Sequence, residues 1–158
     1  MPDNLSQRQR NAGIRLCLTT RETTKVPNGS LNLQLLSEKL AVCRLGPDDR
    51  VPDAVVQAPF YSVTRTADEI SIVCPESAVP NDAKVERGWR ILKVEGPLDF
   101  AMTGVLADLT RPLAQANVSV FALSTYDTDY LLVRNKDVAS AVALLRAQGH
   151  DVILSERQ

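Results

Sequence analysis

A single histidine, His150, stands in the 158 residues. Without a second one, most histidine-based metal sites and catalytic triads have no parts to be built from. Cysteine is scarce as well. Cys17, Cys43 and Cys74 are odd in number, and their spacing fits no zinc pattern. Cys43 and Cys74 lie in apolar runs, where a reduced thiol behaves as a small hydrophobe. That usage points to a reducing, cytoplasmic compartment. An excess of charge of one sign is missing too. The formal net charge is −1, which gives no general attraction to nucleic acid or anionic membrane. No run approaches the ~18 apolar residues that span a bilayer, and no signal-peptide hydrophobic segment is visible. There is no Gly-x-Ser-x-Gly, no phosphate loop and no metal cluster. The expectation is a protein that is not an enzyme and carries no cofactor or metal.

What is present suffices for a core: 44% hydrophobic and 23% charged residues. Residues 1–30 stand apart. Five cations there (Arg8, Arg10, Arg15, Arg21, Lys25) face two anions (Asp3, Glu22), giving +3 and leaving −4 for the rest. Only Ile14 to Leu18 is apolar. Such a segment buries too little to offset its ordering entropy, so a disordered tail with one weak strand near Ile14 is expected.

Order is expected from Leu31. Lys39 to Leu45 reads as a strand stopped by Gly46-Pro47. Val51 to Ala58, flanked by prolines, allows one helical turn. Phe60 to Thr64 and Ile70 to Cys74 form a hairpin, and Ser77 to Arg87 reads as weak helix or loop. Trp89 to Glu95 is a strand. Leu98, Met102, Val105, Leu106, Leu109, Leu113 and Ala116 then recur at helical steps, with Asp99 as cap, Pro112 as a kink near Asp108 and Asn117 at the C-terminus. Strands Val118 to Leu123 and Tyr130 to Arg134 follow. Asp137 caps a helix burying Val138, Ala141, Val142 and Leu145; Gly149 ends it, His150 favours its C-terminus, and Val152 to Leu154 is the last strand. From Trp89 the order is βαββαβ, a ferredoxin-like unit with helices on one face of an antiparallel sheet.

The first half repeats the second. Leu45-Gly46-Pro47-Asp48-Asp49 matches Glu95-Gly96-Pro97-Leu98-Asp99 at an offset of fifty, and Pro59 to Ser77 matches Ser119 to Asp137 at sixty. The second offset sets Glu69 on Asp129, Ile72 on Leu132 and Val73 on Val133. The expected architecture is α+β, with tandem ferredoxin-like units: a tail at 1–30, an abbreviated unit at 31–88 and a complete one at 89–155.

Between two hydrophobic runs lies Ser124-Thr125-Tyr126-Asp127-Thr128-Asp129-Tyr130. Two carboxylates and five hydroxyl-bearing side chains in seven positions suggest a site; the plain alternative is a polar turn. Asp129 and Ser124 or Thr125 suit an ammonium, Tyr126 suits covering a side chain, and Asp127 suits the exposed turn. Strand positions disfavour aspartate, which favours a task for Asp129. A ligand carboxylate would suit backbone N–H groups at the helix start near Ala101 to Gly104. Gly104 permits close approach there, or serves helix–strand packing. Asp99 has capping as its simpler role.

The segments Gly88-Trp-Arg-Ile-Leu-Lys-Val-Glu-Gly-Pro-Leu-Asp-Phe100 and Phe121-Ala-Leu-Ser-Thr-Tyr-Asp-Thr-Asp-Tyr130 resemble the ACT domain family. More closely, they resemble small tandem-ACT proteins and the ACT units of animal cytosolic arginine sensors. The resemblance covers about residues 31–155 and is specific in the second half. It implies binding of an amino acid or similar small effector where units abut. It sets Thr125, Tyr126, Thr128 and Asp129 on the pocket wall. The loop Gly96 to Gly104, with Asp99, Phe100, Met102, Thr103 and Gly104, follows by position only. Those sensors have four units and this chain two, so a homodimer is expected to complete the interface. Regulation then acts on a separate, unnamed protein. The alternative is a structural or interaction module that pairs through its sheets and binds nothing small.

Overall fold

The computed structural model describes residues 29–155. The expected tail lies outside them apart from Gly29 and Ser30, as do the strand near Ile14 and Cys17. The elements run β1 (Asn32–Leu45), α1 (Asp53–Val56), β2 (Ser62–Arg65), β3 (Ile70–Pro75), β4 (Lys84–Val94), α2 (Val105–Gln115), β5 (Val120–Ser124), β6 (Asp129–Arg134), α3 (Val138–Ala147) and β7 (Asp151–Leu154), with 3₁₀ turns at Glu76–Ala78 and Asn135–Asp137.

One sheet of seven strands carries both units, in the order β2-β3-β1-β4-β6-β5 with β7 on β1. Two expectations are corrected here. The apolar cluster Leu31 to Leu36 and the strand at Lys39 are one long strand, interrupted by a register shift between Leu35 and Lys39. Arg90 Nη2 donates to Leu36 O across that interruption, at 2.8 Å. The last four residues of the segment read as weak helix or loop are the start of β4, where Lys84, Val85 and Glu86 pair with Arg44, Cys43 and Val42.

The two long strands are shared. The first unit has strand order 4-1-3-2, its fourth strand being the start of β4. In the second unit, Leu33 to Leu35 insert between β4 and β7. They pair antiparallel with Val94 to Leu92 and parallel with Val152 to Leu154. The sheet is therefore mixed, where two antiparallel sheets were expected. Leu33 and Leu35 join the second unit's core.

The helix face holds two buried clusters. Leu92, Val94, Leu131 and Val133 meet Val105, Leu109 and Leu113 of α2 and Ala141, Val142 and Leu145 of α3. Ala41, Cys43, Ile70, Ile72 and Cys74 meet Val55 of α1. Cys43 and Cys74 are free thiols in contact, and burial pushes Cys74 up to about 12. The opposite face buries Leu40, Val73, Trp89, Ile91 and Leu132 beneath Phe60, Phe121 and Tyr130. The Arg134 guanidinium stacks 4.0 Å from the Trp89 ring centroid.

The alternation of faces fixes the repeat. Arg65 pairs with Ile70 and Ser124 with Asp129, and the turn bonds Thr66 N to Glu69 O and Thr125 N to Thr128 O are both 2.9 Å. The hairpins therefore superpose at an offset of fifty-nine. Ile72 corresponds to Leu131 and Val73 to Leu132, each pair on one face. The offset of sixty placed Ile72 and Leu132 together although they face opposite sides, the consequence of a one-residue slip in a strand. Glu69 is the counterpart of Thr128, and Asp129 has Ile70 for its counterpart.

Candidate functional site

The residues Gly96 to Gly104 form a loop with no helix in it. The helix expected after Asp99 begins at Val105. Asp99 closes a turn of its own: its Oδ1 accepts from Ala101 N at 2.8 Å, and its carbonyl accepts from Met102 N at 2.9 Å. The chain enters α2 through Gly104 at φ +87, a left-handed conformation natural to glycine. No side chain caps that terminus. The first free N–H groups of α2 are therefore those of Val105, Leu106 and Ala107, just past the Ala101 to Gly104 stretch where the sequence reading put them.

The loop is seated on the hairpin tip. Leu98 N donates to Asp127 O at 2.7 Å, and a Cβ on Gly96 would meet that same carbonyl at 2.7 Å. Glycine is thus required at 96 for the close approach. Thr128 is buried, and its hydroxyl donates to Val94 O at 2.6 Å, locking the tip to β4. Thr125 Oγ1 donates to Thr128 O at 3.0 Å.

A cleft of about 400 Å³ opens between these parts. Asp99, Phe100, Met102, Gly104, Ser124, Thr125, Tyr126, Thr128 and Asp129 line it; Thr103, also named from the sequence, does not. Leu98, Asp127 and the α2 residues Val105, Leu106 and Ala107 line it in addition. The helix residues were missed because the helix start was read too early. Ser124 Oγ donates to Asp129 Oδ1 at 2.6 Å, and among the described residues Oδ2 has no hydrogen-bond partner. Phe100 and Tyr126 are 75% and 80% exposed and meet edge to face at 5.0 Å. Among the described residues, the lining holds three carboxylates and no basic side chain.

A second cleft, about 550 Å³, lies beside Asp49, Arg50, Pro52 and the Ser77–Asp82 segment. It is larger, but the helix next to it has only four residues and offers little as an anion site. Among the described residues, no group of three or more His, Cys, Asp or Glu is placed to hold a metal, and no helix is long and apolar enough to cross a membrane.

The model of the ACT domain matches residues 84–147, which include every candidate residue. A second family model, of an N-terminal domain, matches residues 38–82. The crystal structure of protein Atu0741 from Agobacterium tumefaciens is similar over nearly its whole length. It shares 34% identity at a TM-score of 0.77, with 84% of this chain and 98% of that one covered.

The chain belongs to the ACT domain family.

The subunit 1 of the cytosolic arginine sensor for mTORC1 from Bos taurus is 31% identical to this ACT protein over 97 residues, 54% of this chain. The match spans only 30% of the sensor's length. The regulatory subunit of aspartate kinase from Thermus thermophilus shares the fold, with a TM-score of 0.56 at 9% identity over 73% of this chain and 96% of that one. The two family matches divide the chain into two units, which share one sheet.

Proposed function

We propose that this ACT protein is a regulatory module that binds an amino acid in the cleft between the Leu98–Gly104 loop and the Ser124–Asp129 hairpin. The observation that carries the reading is the polarity of the cleft's two walls. On one side, the uncapped start of α2 offers free N–H groups behind a glycine, which suits a carboxylate. On the other, Asp129 presents a free carboxylate oxygen braced by Ser124, which suits an ammonium. A volume of about 400 Å³ suits a small ligand. Three carboxylates without a basic side chain favour ligands with excess positive charge. The similarity to proteins named as arginine sensors supports the same class. Met102, Leu106 and the Phe100–Tyr126 pair supply the apolar cover.

The module is proposed to act on a separate protein and to work as a homodimer. Among the described residues β7 is paired only on its β1 side, and it ends in Ile153 and Leu154, 56% and 57% exposed, an edge that invites pairing. Those same features favour the second reading, a module that associates through its sheets without a small ligand.

A thermal-shift screen of the common amino acids separates the two. A ligand at a hundred times its dissociation constant stabilises by about 2.7 kcal/mol, a readable shift. The amino-acid reading expects at least one such shift, largest among cationic amino acids. No shift with any of them at millimolar concentration favours the second reading.

A further inference from the structure

The two units differ in charge at the last rung of the hairpin. At the last pair of the hairpin the first unit has Arg65 opposite Ile70, and the second has Ser124 opposite Asp129. Both pairs stand on the helix face, in alternation with Val73 and Leu132 of the other face. In the first unit the Arg65 guanidinium crosses to the loop after β1. Its Nη1 donates to Pro47 O, and its Nη2 donates to Asp49 O at 3.1 Å. That loop is held as a receptor: Gly46 N donates to Asp49 Oδ2 at 2.7 Å, and Asp49 N to Gly46 O at 3.3 Å. In the second unit the corresponding space, between the loop after β4 and Ser124, is the open cleft. From one unit to the other the rung loses a cation and gains a carboxylate.

We propose that Arg65 is an internal ligand: its guanidinium occupies in the first unit the site that the second unit leaves open, so each chain has one closed and one open site for a cationic group of guanidinium or alkylammonium type. Exchanging arginine for a short side chain opens the first site. Introducing arginine at the corresponding position closes the second. The proposal concerns the first unit's own site and does not depend on the second binding an amino acid.

The test uses the full chain and methylguanidinium as probe, with thermal melting in the presence of ~10 mM probe compared with the same concentration of sodium chloride, a level far below denaturing concentrations. Four proteins are compared: Arg65→Ser, wild type, Ser124→Arg and Ser124→Glu. The account expects Arg65→Ser to melt a few degrees below wild type and to recover part of that loss with the probe. Its probe response should exceed that of wild type, which should exceed that of Ser124→Arg. Ser124→Arg itself should melt no lower than wild type, whereas Ser124→Glu, which adds a fourth carboxylate to the cleft, should melt lower. Equal probe responses in Arg65→Ser and wild type would overturn the internal ligand. A larger response in Arg65→Ser with equal responses in wild type and Ser124→Arg would keep Arg65 as the occupant of the first site and overturn the open cationic site of the second unit. If Ser124→Arg does not fold, the comparison of Arg65→Ser with wild type still decides the proposal.

Discussion

At the scale of single residues, the site depends on side chains that are absent as much as on those present. Gly96 lets the loop reach Asp127 O, and a methyl group there would press on a backbone atom that Leu98 N also binds. Gly96→Ala is therefore expected to lower stability by about 1–3 kcal/mol, as overpacking does. The midpoint in a urea titration checks this, and an unchanged midpoint would mean that the loop is not held by the tip. Thr128 was read from the sequence as a ligand contact, and it does line the cleft. Its hydroxyl, though, is spent on Val94 O. The hydroxyl of Thr125 is likewise spent within the turn. Of the polar groups in the hairpin, Asp129 retains an oxygen for a visitor.

At the scale of elements, the start of β1 is tied to the end of α3. Leu31 N donates to His150 Nδ1 at 3.3 Å, His150 N donates to Leu145 O at 3.1 Å, and Ser30 Oγ donates to Gly149 O at 2.7 Å. Burial lowers the pKa of His150 below its ordinary 6.5, and the nearby charge of Asp108 opposes that shift. The neutral ring is thus the folded form, and protonation at Nδ1 removes the acceptor for Leu31. With the folded pKa below the unfolded one, the unfolded chain takes up the proton first. The stabilisation is present above about pH 6.5 and is lost as pH falls below it toward the lower folded value. Denaturation midpoints should fall over that window in wild type and less in His150→Gln; parallel profiles would remove His150 from the linkage. The elements with short-range signatures were legible in the sequence. The apolar period of α2 from Val105 onward, the hairpins and the left-handed Asn117, at φ 57, appear where expected, while Leu98 and Met102 fall in the loop before the helix. Asp137 was expected to cap α3 but lies in a 3₁₀ turn without a capping bond. The start of β4 was not legible, because Lys84, Glu86 and Arg87 look like solvated loop until β1 pairs with them. Nor was the insertion of Leu33 to Leu35 beside β7, since a pairing across more than a hundred residues leaves no local pattern. The repeat was seen but set one residue out. Setting Glu69 on Asp129 gave an alignment that the alternation of faces should have decided.

At the scale of the whole molecule, the two units share one sheet through β1 and β4, so they are expected to unfold together. The proposed homodimer predicts a sedimenting species of twice the chain mass at micromolar concentration, and a monomer at high micromolar concentration would contradict it. The central claim is that the cleft of the second unit holds a small cationic ligand through Asp129. Its most direct measurement is calorimetric titration of wild type, Asp129→Asn and Asp127→Asn with the amino acid that shifts melting most. Asp129→Asn preserves size and removes charge. Losing a charge-assisted bond should cost about 1.5–3 kcal/mol, roughly ten- to a hundred-fold in affinity, with Asp127→Asn close to wild type. Equal affinity in all three proteins would take Asp129 out of the site and return the hairpin to a purely structural role.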